Sequence, residues 1–370
     1  METVIFLRSQ IPRADSRLQR YVDIVKKVGK SYFIAAWNRE NKKIEKEKNI
    51  ILYNKIAPIG GGLSNIFSLI LWNLFLLRIL WENRKNYTII HSIDFDTCIP
   101  AYIIAKIFRK KFIFDVYDKY TDARNTPSLV AFFIDRIEKY CCVHCDKLIL
   151  PDECRIKQLN IYPNKERISI IENVPYTQFN LAAKEIRKDD LVFSYVGILE
   201  ERNRGIENLL NAVAQNPSVK LYIAGAGKIE SLVKEKAEKY PNIVFYGQVS
   251  SQKALEILSK SDVIVGMYYK TIKNHLYASP NKYFEHLFLG KVLLTTEGTP
   301  PGDKVQRYST GFAIGETEKD INEFIININI DTIRVFSNNA RNLWNDKYYN
   351  YEETLLREYL SIFNLDKTKN

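Results

Sequence analysis

Three short stretches in the second half of the chain carry residue types that bind phosphate and sugar hydroxyls. The first is VGILEERNRG, in which Gly197 ends an apolar run and Arg202 and Arg204 precede a helical pattern. Glycine lets the backbone approach a ligand closely, and guanidinium groups beside a helix N-terminus favour a phosphate through bidentate hydrogen bonds. On its own, this stretch would more often be a solvated loop with two surface arginines.

The second stretch is IAGAGK, which follows another apolar run and opens a helical pattern. Gly225 and Gly227 form a Gly-x-Gly pair without the third glycine of a dinucleotide fingerprint. Structural requirements explain such a pair about as well as a nucleotide does, because tight turns also need glycine.

The third stretch is SPNKYFEHLFLGKVLLTT. Pro280 can start a turn or a helix, Asn281 and Lys282 lie in the first turn, and Glu285 lies on the next turn. A carboxylate there can accept hydrogen bonds from both hydroxyls of a ribose, while the helix N-terminus faces phosphate or sugar oxygens. The alternative is a salt-bridged surface glutamate.

Elements of two kinds must position these stretches. Short β-branched runs alternate with longer helical patterns, which predicts βα units and parallel sheets. The predicted strands are TVIFL, YFIAAW, YTIIH, KFIFDVYD, KLILP and ISIIENV in the first half, and LVFSYVG, KLYIAG, IVFYG, DVIVGMY, KVLLTT and GFAIG in the second. Residues 174–190 are predicted to be a linker. Ligands of doubly wound sheets bind at the carboxyl ends of strands, so residues just after these runs are the candidates.

Composition sets the broad class. The 370 residues suffice for two hydrophobic cores, and 54 Lys and Arg against 43 Asp and Glu give a net charge of +11. This charge implies an anionic partner, which could be nucleic acid, a phosphorylated small molecule or an acidic membrane surface. No recognisable nucleic-acid-binding module is present, so we expect no nucleic acid partner. Five cysteines, an odd number, fit a reducing compartment better than a disulfide framework.

One apolar segment raises the question of a membrane. Residues 63–81 contain Arg78 as the only charge and approach the length of a spanning helix. Polar residues interrupt the segment, so we expect a core helix or one that lies on a bilayer surface, with Arg84 and Lys85 nearby for anionic head groups. The first residues lack a signal-peptide pattern, so we expect the cytoplasm, with contact to the inner face of the plasma membrane left open.

A second crowded stretch, CCVHCD, contains Cys141, Cys142, His144 and Cys145. A structural zinc site needs four ligands in spaced pairs, and no second pair follows at a suitable distance. We therefore expect no metal here and interpret these residues as a helix end packed on a core. His286, beside Glu285, is likewise expected to pack or cap.

In order along the chain, VGILEERNRGIENLLNAV, LYIAGAGKIESLVKEKA, NIVFYGQVSSQKALEILSKSDVIVGMY and SPNKYFEHLFLGKVLLTTEGT resemble the C-terminal domain of family 4 retaining glycosyltransferases of the GT-B fold. The resemblance covers about 191–316. It implies an α/β protein with two Rossmann-like, doubly wound domains that face a central cleft. Residues 1–175 would form the acceptor-binding domain and 190–345 the nucleotide-sugar domain, with a C-terminal helix in 346–370 that crosses back to the first domain.

The resemblance also implies roles on the donor side. Glu285 would hold the ribose, Arg204 and Arg202 would neutralise the diphosphate, and Asn281 and Lys282 would line the sugar-phosphate end. The other donor-side candidates are Gly197, Gly225, Gly227, Tyr277 and Pro280. The catalytic candidates are Asp118, Arg204 and Lys282. With these cations and the amides near Pro280, no metal or other cofactor is expected, and the donor would be a UDP or GDP sugar.

The chain departs from the family pattern at three places. Tyr277 stands where the family usually has the first of two paired glutamates, eight positions before Glu285. Gly197 is followed by Ile198 rather than arginine, which shifts the phosphate role onto Arg202 or Arg204. Tyr117 stands where related enzymes often have a histidine that faces the donor sugar.

In the first half the resemblance is looser. Its acceptor-side candidates are Arg17, His91, Asp94 and Tyr117, with Asp118 beside them. Each could equally be a structural hydrogen-bond partner at a strand end.

The implied activity is transfer of a sugar from a nucleotide-diphosphate sugar to a hydroxyl of a glycan or lipid-linked acceptor, with retention of configuration, in bacterial surface polysaccharide or glycolipid synthesis. Two alternatives remain open: a GT-B nucleotide-sugar 2-epimerase, and a non-catalytic subunit that binds a partner transferase.

Overall fold

Two parallel sheets organise the chain. The computed structural model describes residues 2–363 apart from 42, 44–46, 58–64, 125, 163, 176–190 and 202. It divides into one unit of Met1–Glu172 with Glu352–Asn370 and a second unit of Asn173–Tyr351. Almost all of the predicted linker, 174–190, lies outside the described residues.

The first unit is built on a parallel sheet. Among its described residues, seven strands follow the order β3-β2-β1-β4-β5-β6-β7. The strands are β1 Thr3–Arg8, β2 Ser31–Asn38, β3 Ile50–Asn54, β4 Ile89–Ile93, β5 Lys111–Asp115, β6 Lys147–Leu150 and β7 Ile168–Ile170. The helices are α1 Ser16–Lys27, α2 Ile66–Glu82, α3 Phe95–Phe108, α4 Tyr120–Ala123, α5 Ser128–His144 and α6 Cys154–Leu159. Every strand predicted from the sequence is present, and β3 is an additional one.

The second unit repeats this design. Its described strands follow the order β10-β9-β8-β11-β12-β13. They are β8 Leu191–Val196, β9 Val219–Ala224, β10 Ile243–Phe245, β11 Val263–Gly266, β12 Val292–Thr296 and β13 Gly311–Ile314. The helices are α7 Ile206–Gln215, α8 Glu230–Lys239, α9 Ser251–Ser259, α10 Asn281–Leu289, α11 Pro300–Tyr308, α12 Glu318–Ile326 and α13 Ile330–Leu343. The predicted α/β class with two parallel sheets is confirmed.

The last helix, α14 (Tyr351–Leu360), packs on the first unit. Tyr359 stacks on Tyr21 of α1 with 4.7 Å between ring centroids. Its hydroxyl lies 2.9 Å from Nδ1 of the buried His91. Glu358 accepts a hydrogen bond from Ser169 of β7 at 3.0 Å. Aromatic stacking and buried polar pairing therefore join the end of the chain to the sheet of its first half.

The apolar segment of residues 63–81 forms α2 from Ile66 onward. Trp72, Leu76 and Leu80 of this helix are buried in the core of the first unit. In the described parts of the chain, no helix combines the length and the apolar character needed to cross a membrane.

Candidate functional site

The strand order of the second sheet places its three candidate stretches together. β8 pairs with β9 on one side and with β11 on the other. After β8, the chain therefore adds β9 and β10 on one side of the sheet and then β11, β12 and β13 on the other side. Such a switch point opens a crevice at the carboxyl ends of the strands. Gly197 directly follows β8, Gly225 follows β9, and Tyr268 lies just beyond β11.

The loops after β8 and β9 approach each other so closely that only glycine fits at two positions. A Cβ on Gly225 would lie 1.8 Å from the carbonyl oxygen of Gly197, and one on Gly227 would lie 2.4 Å from that of Leu199. The amide of Leu199 in turn donates to the carbonyl of Ala226 at 3.0 Å. The glycine pair therefore has a structural role, because it allows the two loops to pack against each other beside the switch point.

Lys282 reaches from the first turn of α10 back to the end of β8. Its Nζ donates to the carbonyl of Val196 at 2.5 Å and lies 4.7 Å from the centre of the Tyr195 ring. A Cβ on Gly197 would lie 3.0 Å from this Nζ, and a Cβ on Gly266 would lie 3.1 Å from Cδ of the lysine. The two glycines thus leave room for a cation at the carboxyl ends of β8 and β11.

Burial dominates the electrostatics of Lys282 and Glu285, which lie on successive turns of α10. It lowers the pKa of Lys282 to about 8, although the carboxylate of Glu285 acts in the opposite direction. Burial likewise raises the pKa of Glu285, against the influence of Lys282. Both groups therefore hold their charges at a free-energy cost that a ligand of complementary charge would reduce.

Arg204 lies beside the same cluster. Its guanidinium carbon is 5.1 Å from the centre of the Tyr268 ring, and its Nε donates to Glu200 at 3.2 Å. Burial acts to lower the pKa of Arg204, but Tyr268 and Glu200 outweigh it and the net pKa is raised. Burial raises the pKa of Tyr268, whose hydroxyl therefore stays neutral. The cluster thus offers two cations, a carboxylate and a phenol around one crevice.

The remaining donor-side candidates border this cluster. Pro280 is half-buried at the N-cap position of α10, and Asn281 is exposed at its first residue. Tyr277 is half-buried at the end of a short 3-10 helix. Arg202 lies outside the described residues.

The candidates of the first unit form a separate charged cluster at the carboxyl ends of β1, β4 and β5. The Tyr117 ring lies between two guanidinium groups, 4.6 Å from Arg8 and 4.7 Å from Arg17. Arg17 forms an ion pair with Asp115 at 2.9 Å, and Arg8 forms one with Asp94 at 2.6 Å. Opposite charges are therefore closely paired throughout this cluster.

Asp94 has an unusual backbone. Its φ of 62° and ψ of 168° are sparsely populated for a residue other than glycine. Its carboxylate accepts hydrogen bonds from the amide of Tyr117 at 2.9 Å and from Arg8. Burial raises the pKa of Asp94, while Arg8 opposes that shift. These partners hold the carboxylate at the start of α3.

His91 and Asp118 differ sharply in exposure. His91 is fully buried beneath Tyr359, and burial lowers its pKa. This environment favours the structural alternative for His91. The Asp118 side chain is half exposed and pairs with the buried Arg155 at 2.7 Å.

Several residues in these clusters were missed in the sequence analysis. They are Tyr195 and Tyr268 in the second unit, and Arg8, Tyr21 and Arg155 in the first. Arg8 and Tyr268 stand at the ends of predicted strands, so the carboxyl-end rule could have found them. The sequence carries no comparable signal for Tyr21 or Arg155, since their partners are distant along the chain.

The residues of the CCVHCD stretch belong to α5 and its C-terminal end. Cys141, Cys142 and Cys145 are buried in the core of the first unit. His144 is exposed and stacks on Tyr140 with 3.9 Å between ring centroids. The packing interpretation accounts for their positions.

Comparison with solved structures defines the class of fold. Sucrose-phosphate synthase from Thermosynechococcus elongatus has a TM-score of 0.72 and 15% identity, covering 99% of this chain and 100% of that one. Anabaena HepE, solved with UDP and glucose, has a TM-score of 0.68 and 13% identity, covering 98% and 100%. A UDP-N-acetylglucosamine 2-epimerase has a TM-score of 0.64 and 12% identity, covering 100% and 99%. The fold is GT-B, as predicted.

Part of the sequence is similar to a known family. Residues 177–342 match the family described as glycosyl transferases group 1. This match lies almost entirely within the second unit, and the predicted resemblance is confirmed. Among curated proteins, none matches this chain.

Proposed function

We propose that this protein transfers a sugar from a nucleotide-diphosphate sugar to a hydroxyl of a glycan or lipid-linked acceptor, with retention of configuration. The observation that carries the proposal is the cluster of Lys282, Arg204 and Glu285 at the switch point of a group 1 glycosyl transferase domain. Glu285 accepts hydrogen bonds from the ribose hydroxyls, and the two cations face the diphosphate.

Catalysis follows from the charge that develops when the bond between sugar and diphosphate breaks. Negative charge grows on the leaving oxygen, and fixed cations stabilise it more strongly in the transition state than in the bound donor. Lys282 and Arg204 are held for this purpose by a backbone carbonyl and by Glu200. The acceptor hydroxyl attacks on the leaving-group face, and the departing phosphate takes its proton. We propose that no metal ion or other cofactor is needed.

The nucleotide is proposed to be UDP or GDP, and the HepE structure with UDP and glucose favours UDP. The acceptor is proposed to belong to a bacterial surface polysaccharide or glycolipid, assembled at the inner face of the plasma membrane. Asp118, half exposed in the first unit, is the proposed catalytic group on the acceptor side, with Arg17, Asp94 and Tyr117 behind it.

Nucleotide binding and sugar transfer test the proposal. Titration calorimetry with UDP, GDP and ADP should reveal one preferred nucleotide diphosphate, and Glu285→Gln should weaken its binding. Glu235→Gln, on the exposed face of α8, is the matched control and should bind normally. Activity that persists in EDTA agrees with the cationic site, and its loss would argue for a metal.

The epimerase neighbour supplies a second candidate function. An epimerase converts its nucleotide sugar without an acceptor and leaves the bond to the diphosphate intact in the final product. Incubation with UDP-N-acetylglucosamine alone therefore separates the two. Appearance of an epimeric nucleotide sugar would replace the transferase proposal, whereas tight nucleotide binding with neither reaction would favour the non-catalytic subunit.

A further inference from the structure

Three neighbouring helices of the first unit present an apolar surface to solvent. Trp81 of α2 meets Phe108 of α3 with 5.0 Å between ring centroids. Tyr102 of α3 meets Tyr140 of α5 with 5.4 Å between centroids, and their hydroxyls lie 3.0 Å apart. These contacts join α2, α3 and α5 into one continuous layer.

Eight large apolar side chains on this layer are more than half exposed, and we call them the outer face. They are Phe67 (69%), Ile70 (52%), Leu74 (56%), Trp81 (51%), Ile107 (58%), Leu129 (72%), Phe132 (55%) and Phe133 (59%). On α2 they are spaced by three, four and seven residues, which keeps them on one side of a helix. Trp72, Leu76 and Leu80 form the other side of α2 and are buried. The helix is therefore apolar on both sides, beyond what its own core requires.

An apolar surface of this kind on a water-facing helix layer marks an interaction site. Its side chains are rich in aromatic rings, which combine large apolar area with few rotatable bonds. Trp81 and Tyr140 also carry polar groups at their tips, and such residues are enriched where a membrane meets water.

Basic side chains border the outer face. Arg84 lies 5.3 Å from the Trp81 ring, Lys106 lies 5.6 Å from the Tyr102 ring, and Arg136 lies 5.6 Å from the Phe132 ring. Lys85 and Arg109 are exposed just beyond the ends of α2 and α3. Each helix connects parallel strands, so the three run in the same direction and these helix ends lie at one edge of the layer.

We propose that the outer face binds the surface of an anionic lipid bilayer. Apolar side chains enter the boundary between head groups and acyl chains, while the bordering lysines and arginines contact anionic head groups. A second copy of the chain fits less well, because it would place the same basic border against itself in a protein of net charge +11. This inference deepens the proposed function, whose lipid-linked acceptor lies at such a surface.

Vesicle sedimentation tests the proposal without any donor or acceptor. The wild type should bind vesicles of phosphatidylcholine mixed with phosphatidylglycerol, and bind pure phosphatidylcholine weakly. Phe132→Ser with Phe133→Ser should reduce binding more than about tenfold, because two phenyl groups lose their apolar transfer. Ile326→Ser with Val335→Ser is the matched control, since both side chains are similarly exposed in the second unit.

Reversal of basic charges at the border of the outer face provides a second test of vesicle binding. Lys85→Glu with Lys106→Glu should weaken binding about tenfold or more and flatten its dependence on salt. Lys319→Glu with Arg334→Glu reverses two exposed charges of the second unit and should change binding little. All of these substitutions are at surface positions, and thermal unfolding would verify that each variant is folded.

Vesicle binding and nucleotide binding can be tested independently of each other. Absence of wild-type binding, or equal binding after Phe132→Ser with Phe133→Ser, would overturn it. A dimer in size-exclusion chromatography that the same variant converts to a monomer would assign the outer face to a second copy. Glu285→Gln should bind vesicles like the wild type even where nucleotide binding is lost.

Discussion

Lys282 illustrates how burial prepares a side chain for an anionic ligand. Its amine has a pKa of about 8 in the free protein, because the surroundings cannot hydrate the charge as water does. A diphosphate beside Nζ would favour the charged form and raise the pKa again. The candidate site is therefore expected to be more complementary to the charged donor that we propose than to solvent.

The lowered pKa of Lys282 predicts proton uptake when a nucleotide diphosphate binds beside it. At pH 8.5 the free amine is largely neutral and the complexed amine is protonated, so binding should take up a proton. Titration calorimetry in two buffers of different ionisation enthalpy would measure it. Lys282→Met should bind more weakly and without that uptake. Identical heats in both buffers for the wild type would place the diphosphate away from Lys282.

Arg204 should matter more for turnover than for donor binding. Its guanidinium is fixed by Glu200 and by the face of Tyr268, so it can meet charge that grows on the diphosphate. We expect Arg204→Ala to lower kcat about a hundredfold or more while the Kd of the nucleotide rises much less. Steady-state kinetics and direct titration would separate the two effects. Equal losses in kcat and in affinity would show that Arg204 contributes uniform binding only.

At the scale of elements, the contact between the loops after β8 and β9 is the most constrained feature of the donor side. Gly225→Ala would drive a methyl group into the carbonyl of Gly197, 1.8 Å away, and so force the two loops apart. Gly247→Ala is the matched control, because Gly247 also has a positive φ but open space around its Cβ position.

We expect Gly247→Ala to cost about 1–2 kcal/mol of unfolding free energy from backbone strain alone. Gly225→Ala should cost more than that and should also abolish nucleotide binding. Urea unfolding and nucleotide titration of both variants would measure these effects. Similar stability losses in the two variants, with binding retained, would show that the loops tolerate separation.

The elements that the sequence predicted share strong local signals. LVFSYVG, KLYIAG and DVIVGMY are apolar runs bounded by glycine or polar residues, and the structure places β8, β9 and β11 there. β3 was missed because IILYN follows a lysine-rich stretch and is only half-buried at the sheet edge. An edge strand buries little, so its hydrophobic pattern is weak.

The candidate donor site was more predictable than the clusters of the first unit for a related reason. Lys282 and Glu285 lie three residues apart on one helix, so their proximity follows from helical geometry. The contacts of Arg8 with Asp94 and of Arg17 with Asp115 join residues 86 and 98 positions apart. Only the completed sheet brings such residues together, and no local pattern records it.

For the whole molecule, the division of the chain into two compact units predicts that each unit has its own stability. All described donor-side candidates belong to the second unit, whereas α14, which follows that unit in the sequence, belongs to the first. Each unit has its own hydrophobic core. Perturbations at Tyr359 and at the nucleotide site should therefore act on different unfolding transitions.

Calorimetric unfolding combined with hydrogen exchange would show whether the two units unfold in separate transitions. A nucleotide at a hundred times its Kd should stabilise the second unit by about 2.7 kcal/mol, which raises its Tm by about 5–10 °C. Tyr359→Ala should destabilise the first unit by about 3–5 kcal/mol, because it removes a buried ring and leaves Nδ1 of His91 without its hydrogen bond.

Low pH should also destabilise the first unit. The pKa of His91 is lowered in the folded state, so the unfolded state binds more protons as the pH falls below about 6.5, and the first unit loses stability there. Replacing His91 with glutamine should remove this dependence, whatever it does to stability at neutral pH. If nucleotide and Tyr359→Ala instead shift one common transition together, then the two units unfold as a single cooperative block, and their separate cores do not confer separate stabilities.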